Sequence, residues 1–100
     1  MKEQKLAGAL GLCRRAGKIT VGIEPVREEI RKGKAALVLL AQDLGENSTK
    51  KIVPLAENRS VRVVRTGLSK EALSVALGKE GAVGVLAVPQ EFLNLVLASL

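Results

Sequence analysis

The chain has no tryptophan, no tyrosine and no histidine, and Phe92 is its only aromatic residue. Modules that read single-stranded nucleic acid stack bases on exposed aromatic platforms, and this composition excludes such a platform. Without histidine, and with Cys13 as the only thiol, the usual zinc ligand sets cannot be assembled. For the same reason no serine or cysteine nucleophile has an imidazole to activate it. A single cysteine excludes an internal disulfide, in keeping with a reducing compartment. No apolar run reaches the ~18 residues that a membrane span requires. The start, Met1-Lys2-Glu3-Gln4-Lys5, is charged and lacks the apolar core and cleavage site of a secretory signal. These absences predict a cytoplasmic protein with neither a metal nor a membrane partner.

What is present points to a polyanion. Sixteen Lys and Arg stand against ten Asp and Glu, a net charge of +6. Such an excess favours nucleic acid first and an anionic membrane surface second. Combined with the missing aromatics, it predicts that an RNA ligand is read by the shape, backbone and groove of a folded helix. Apolar residues make up 47% of the 100-residue chain, enough for a core. This length predicts one domain over 1–100, since compact domains hold ~100–150 residues.

Helix and strand patterns alternate along the chain. Residues 3–16 carry Leu6, Leu10 and Cys13 at helical spacing, with Gly17 as a stop. Ile19-Thr20-Val21 is a short β-type run. Residues 23–32 read as a helix, with Val26 and Ile30 one turn apart, Pro25 near the start and Gly33 at the end. The continuous apolar run from Ala35 to Ala41 is the pattern of a strand covered on both faces. Asn47 or Ser48 is the expected cap of a helix running toward Asn58, kinked or divided by Pro54. Val61 to Arg65 is a strand, and Ser69 caps a helix reaching about Leu77 and closed by Gly78. Gly81 to Val88 is another apolar β run. Pro89 opens a last helix with Phe92, Leu93, Val96, Leu97 and Leu100 as its apolar positions. The order predicts an α/β fold, a three-layer α/β/α sandwich around a four-stranded, mixed and largely buried sheet.

Several candidate chemistries fail on physical grounds. Gly11 to Lys18 superficially looks like a phosphate-binding loop. Five residues separate its glycines instead of four, Ile19 stands where a Mg²⁺-binding hydroxyl belongs, and no strand precedes it. Gly78, Gly81 and Gly84 close a helix rather than open one, so they are not a dinucleotide fingerprint. No cofactor is expected. Glu24 and Glu28 lie one helical turn apart, a spacing common on solvated helices, and nothing marks them as an acid–base pair. Cys13, on the apolar stripe of the first helix, reads as a buried small hydrophobe; exposed, its thiol would be activated by Arg14 and Arg15. Catalysis is therefore not expected. The basic residues carry more information. Arg27, Arg31 and Lys34 follow i, i+4, i+7 spacing along one side of the second helix or its end. Arg14, Arg15 and Lys18 precede that helix, Lys50 and Lys51 begin the next, and Lys79 lies in a glycine-flanked loop.

The segments that carry these features, taken in order, resemble a known family. Ala16-Gly17-Lys18-Ile19-Thr20-Val21-Gly22, a helix, and then Ala36 through Asp43 are similar to the L-seven-Ae family of ribosomal and kink-turn RNA-binding proteins. Ser69-Lys70-Glu71-Ala72-Leu73, leading to Gly78-Lys79-Glu80, resembles that family's second signature. The opening Leu10 to Lys18 and the segment Lys50-Lys51-Ile52 look like its short bacterial members, the YlxQ-like proteins. The resemblance covers nearly the whole chain. It implies the same α/β/α sandwich, and binding to a sharply bent RNA helix with tandem sheared G·A pairs. It further implies that the start of the second helix enters the widened groove, while the loop before the last strand covers the bulged nucleotides.

In this numbering those places are Gly22, Glu24, Pro25, Arg27 and Glu28, and the loop Gly78, Lys79, Glu80, Gly81 and Ala82, with Lys18 and Arg31 as flanking cations. A helix N-terminus offers unpaired N–H groups, and glycine permits close backbone approach. The family's pattern here is Gly, any residue, Asn, Glu, two residues, Lys. Gly22 matches, whereas Glu24, Pro25 and Glu28 replace Asn, Glu and Lys, and Gly81 replaces a larger loop residue. The change at position 28 reverses a charge beside phosphate. Two functions follow: a non-catalytic, monomeric binder of structured, kink-turn-like RNA, ribosomal RNA included, or a protein-interaction module of the same fold that has lost kink-turn recognition.

Overall fold

The computed structural model describes residues 2–100, so Met1, the first residue of the charged start, lies outside the described residues. The elements follow as α1 (Lys2–Arg15), β1 (Thr20–Val21), α2 (Ile23–Arg31), β2 (Leu37–Leu40), α3 (Glu46–Asn58), β3 (Arg62–Arg65), α4 (Lys70–Ala76), β4 (Val85–Val88), a 3₁₀ turn (Gln90–Phe92) and α5 (Leu93–Leu97). The strands form one mixed sheet in the order β1-β4-β2-β3. β2 and β3 pair in parallel, with Leu37 opposite Arg62, while β4 runs antiparallel to both β1 and β2. The α/β/α sandwich expected from the sequence is therefore present.

Alternation along the strands sorts the two cores, because successive side chains point to opposite faces. Leu37, Leu39, Leu86 and Val88 face one layer, where Leu6, Leu10 and Cys13 of α1 meet Leu73 and Leu77 and the α5 residue Val96. Val38, Leu40, Val85 and Ala87 face the other, against Val26 and Ile30 of α2 and Ile52 and Ala56 of α3. β2 and β4 are buried throughout. β3 is the outer strand, and its exposed Arg62 and Arg65 guard an edge that would otherwise invite pairing. Cys13 is fully buried, and burial pushes its thiol pKa up, as suits a core residue rather than a nucleophile. Among the described residues no helix is long and apolar enough to cross a membrane.

Three local expectations change. α3 starts from Gly45, without a side-chain cap, and Asn47 and Ser48 fall inside its first turn. The Thr49 hydroxyl instead donates to Gly45 O at 2.8 Å. Pro54 does not divide α3: it and Lys50, whose carbonyl it leaves without a helical donor, lie on the exposed side where water can serve. The β run expected from Gly81 is a strand only from Val85, since Gly81 sits at φ +85 and Gly84 lies against Leu44. A Cβ on Gly84 would come within 2.7 Å of Leu44 Cδ1.

α4 is capped as its sequence predicts. Ser69 Oγ accepts from the Ala72 N–H at 3.1 Å. Its last turn closes with Gly78 N–H on Val75 O and Lys79 N–H on Ser74 O, a cap that needs the left-handed φ of +64 at Gly78.

Candidate nucleic-acid interface

β4 is antiparallel to both β1 and β2, and β3 is parallel to β2, so β1, β2 and β3 all point the same way. Each feeds a helix. The N-termini of α2, α3 and α4 therefore gather at one pole of the sheet, together with the start of β4 and the loop that precedes it. Aligned peptide dipoles give such a pole a positive potential without any side chain. α4's share is already used, because Asp43 Oδ1 accepts from the Lys70 N–H at 2.8 Å. α2 and α3 begin on Gly22 and Gly45, neither with a side-chain cap, and leave their first N–H groups to solvent.

The two segments expected to contact RNA meet here. The Gly22 N–H donates to Val85 O at 3.1 Å, which fixes α2's start against the base of the 78–84 loop. Gly22 adopts φ +105, a backbone state that disfavours any side chain, and packs on the Pro25 ring. Pro25 sits in the first turn, where its missing N–H costs no helical bond. Gly78, Lys79, Glu80, Gly81 and Ala82 are all exposed, and a Cβ on Gly78 would lie 3.2 Å from Arg14 Cζ, so the Arg14 guanidinium covers that turn. Val83 N–H on Lys70 O and Ala41 N–H on Gly84 O anchor the loop's return.

The basic residues divide. Arg27 is not free: Nη1 donates to Lys51 O of α3 at 2.9 Å, and Nε is buried with no hydrogen-bond partner, 3.7 Å from Glu24 Oε1. Of the three cations expected along one side of α2 or its end, Arg27 is thus turned onto α3. One residue past Val26, Arg27 borders the packed stripe, and its stem lies along the α2–α3 seam. Lys34 lies beyond α2, bonded through its backbone N–H to Glu29 O. Arg31 ends α2, about 12 Å from Ile23 at the helical rise, and pairs with Glu28 at 3.7 Å. Lys18 precedes β1 and approaches Glu91 at 3.9 Å. Arg31 and Lys18 thus sit at the opposite pole, apart from Gly22, Glu24, Pro25 and the loop. Glu24 and Glu28 are exposed.

The sequence reading did not single out Arg65. Its Nη1 donates to Ala41 O at 3.0 Å, Leu44 O at 3.3 Å and Gln42 O at 3.4 Å, and Nη2 reaches Thr49 Oγ1 at 3.1 Å. One planar fork thus gathers the β2–α3 connection beside the loop base. The only signal in the sequence is an arginine on the same strand face as Val63, which packs under α3.

A model of the ribosomal protein L7Ae/L30e/S12e/Gadd45 family matches residues 4–95. The chain belongs to that family. Among its relatives, RNA-binding protein YlxQ of Bacillus subtilis (strain 168) is 35% identical over 91 residues, covering 91% of this chain and 90% of the relative. RNA-binding protein YlxQ of Enterococcus faecium is 43% identical over 50 residues, covering 50% of this chain and 48% of the relative. A protein of unknown function from Bacillus halodurans C superposes with a TM-score of 0.86 at 27% identity, covering 94% of each chain. The Giardia lamblia 15.5kD RNA binding protein superposes with a TM-score of 0.80 at 24% identity, covering 98% of this chain and 83% of that one, a likeness of fold. The family and the mixed sheet read from the sequence both stand.

Proposed function

We propose that this L7Ae-family protein is a non-catalytic, cytoplasmic binder of structured RNA of the kink-turn type, acting on or beside the ribosome as a monomer. The observation that carries the reading is the glycine-started α2 held against the 78–84 loop by the Gly22–Val85 hydrogen bond. Free N–H groups at the start of α2 meet phosphate and base edges, and the exposed Gly78–Ala82 loop lies over unstacked nucleotides. The YlxQ relatives, named for RNA binding, support the same partner. Nothing at this pole needs a metal or a cofactor for such contacts.

Titration of a kink-turn RNA over a range of salt concentrations tests the proposal. Four to six phosphate contacts predict a log–log slope of about −3 to −5. The same RNA with its tandem G·A pairs disrupted is expected to bind more weakly. A flat salt response sinks the basic-face reading. Absence of any complex favours the protein-interaction module, which the exposed Glu24, Glu28 and Glu80 would suit.

A further inference from the structure

Cations without an ion-pair partner among the described residues stand at both poles of the molecule. At the pole that holds Gly22, Glu46 pairs Lys50 at 3.4 Å and Glu24 stands by Arg27, while Lys70 and Lys79 are unpaired. At the other pole, where α2 and α3 end, Arg31 and Lys18 are paired with Glu28 and Glu91, but three further cations are not. Lys32 and Lys34 have no ion-pair or side-chain hydrogen-bond partner among the described residues. Arg59 donates to Arg31 O at 2.9 Å, a neutral acceptor that fixes the guanidinium and leaves its charge uncompensated. Nor are these cations required as caps. Gly33 N–H on Ile30 O and Lys34 N–H on Glu29 O already close α2, while Ser60 N–H on Glu57 O and Val61 N–H on Ala56 O close α3.

The same pole is concave. A cleft of about 440 Å³ runs between Gly33, Ala36, Arg59 and Ser60, and a second of about 290 Å³ lies between Lys18, Glu29, Lys34 and Pro89. Both include Ala35, so they adjoin across the α2–β2 connection. From the geometry we infer a second RNA contact: Lys32, Lys34 and Arg59 grip the phosphate backbone of a helical arm that continues past α2 from the first site. The partner is RNA rather than a lipid surface because Lys34 and Arg59 line clefts that a flat headgroup layer cannot enter, with Lys32 exposed next to Gly33 of the larger one, and α2's ~12 Å length is spanned by an arm of a few base pairs. The Arg31–Glu28 pair on the way tempers the repulsion of Glu28. This inference rests on the proposed RNA binding.

Lys32→Gln with Lys34→Gln tests it, since both side chains are exposed and leave the fold intact. Two kink-turn RNAs serve as probes, one with a long arm and one trimmed to the kink. For the long-arm RNA the double variant is expected to lose about tenfold in affinity and to flatten the salt slope by about one per lysine. The trimmed RNA should bind within twofold of the unsubstituted protein. Equal affinity of variant and unsubstituted protein for the long-arm RNA overturns the second contact and leaves the first site standing. Equal losses on both RNAs also overturn it, because the lysines would then act only through overall charge. If the unsubstituted protein binds neither RNA, the proposed function itself fails. Vesicles of phosphatidylserine that bind as tightly as the long-arm RNA, and lose binding in the variant, overturn the choice of RNA as partner.

Discussion

At its start α2 rests on Gly22, has no side-chain cap, and is bordered by the carboxylates of Glu24 and Glu28. At its finish it closes on a complete backbone cap and is bordered by Arg31, Lys32, Lys34 and Arg59. One end has free backbone donors beside carboxylates; the other has cations and no spare donors. Backbone N–H groups demand a close, oriented partner and suit a defined RNA shape, whereas lysines act over a Debye length of ~10 Å and accept any phosphate. Net charge alone therefore does not locate the recognition site.

The largest effect comes from the core that both ends share. Ile30 is fully buried against β2 and α3, so Ile30→Ala is expected to cost about 2–5 kcal/mol in urea unfolding. Both ends should then lose RNA binding together. Loss at one end alone would break the picture of α2 as one rigid element.

Next is the restoration of the family's residues at the first end. Glu24→Asn supplies a group that both donates and accepts, and Glu28→Lys replaces repulsion by attraction. Together they should strengthen kink-turn binding by roughly 1–3 kcal/mol. RNA without the tandem G·A pairs should gain much less. Because Glu28 pairs with Arg31, the double change also frees that arginine, and an equal gain on both RNAs would assign the effect to charge alone.

Arg65 sharpens the contrast from the side. Its four contacts are exposed or half-buried, so Arg65→Ala is expected to cost only about 1–2 kcal/mol after solvent screening. Kink-turn affinity should fall as the β2–α3 connection loosens, with the long-arm contribution unchanged. Arg65→Lys should not restore it, since an ammonium lacks the planar fork. Normal kink-turn binding by Arg65→Ala would remove Arg65 from the first site's support.

Much of this was legible in the residues. The unbroken apolar runs Leu37 to Leu40 and Val85 to Val88, and the Val26/Ile30 stripe, set the layers, because burial on two faces leaves few alternatives. Ser69, Gly33 and Gly78 marked helix ends by local chemistry that the fold does not override. The start of α3 was not legible: Asn47 and Ser48 both offered a cap, yet the helix begins on Gly45 with no side-chain cap, at a point that depends on where β2 releases the chain. The contact of Arg27 with α3 was not legible because spacing along one helix says nothing of the helix beside it. Arg65 was missed since three of its acceptors are backbone carbonyls more than twenty positions away and the fourth, Thr49 Oγ1, is sixteen away. The meeting of Gly22 with the 78–84 loop followed from family resemblance, not from spacing, because it depends on β1 pairing with β4.

The smallest expected effect concerns how the second end is closed. The helices α1, α2 and α4 end on Gly17, Gly33 and Gly78, at φ between +64 and +73, whereas α3 ends on Ser60 at φ +58. Serine in this left-handed state carries a Cβ penalty of about 1 kcal/mol, partly offset because glycine gains more freedom on unfolding. Ser60→Gly is therefore expected to stabilise the protein by about 0.5 kcal/mol, read as a rise of roughly 2–4 °C in thermal midpoint. Ser60 is exposed and lines the larger cleft of the cationic pole. If only lysine and arginine grip phosphate there, Ser60→Gly leaves the affinity for long-arm RNA unchanged while raising stability. A drop in that affinity with the stability gain intact would show the hydroxyl donating to the RNA. A fall in stability would mean that Ser60 holds its turn by more than its backbone.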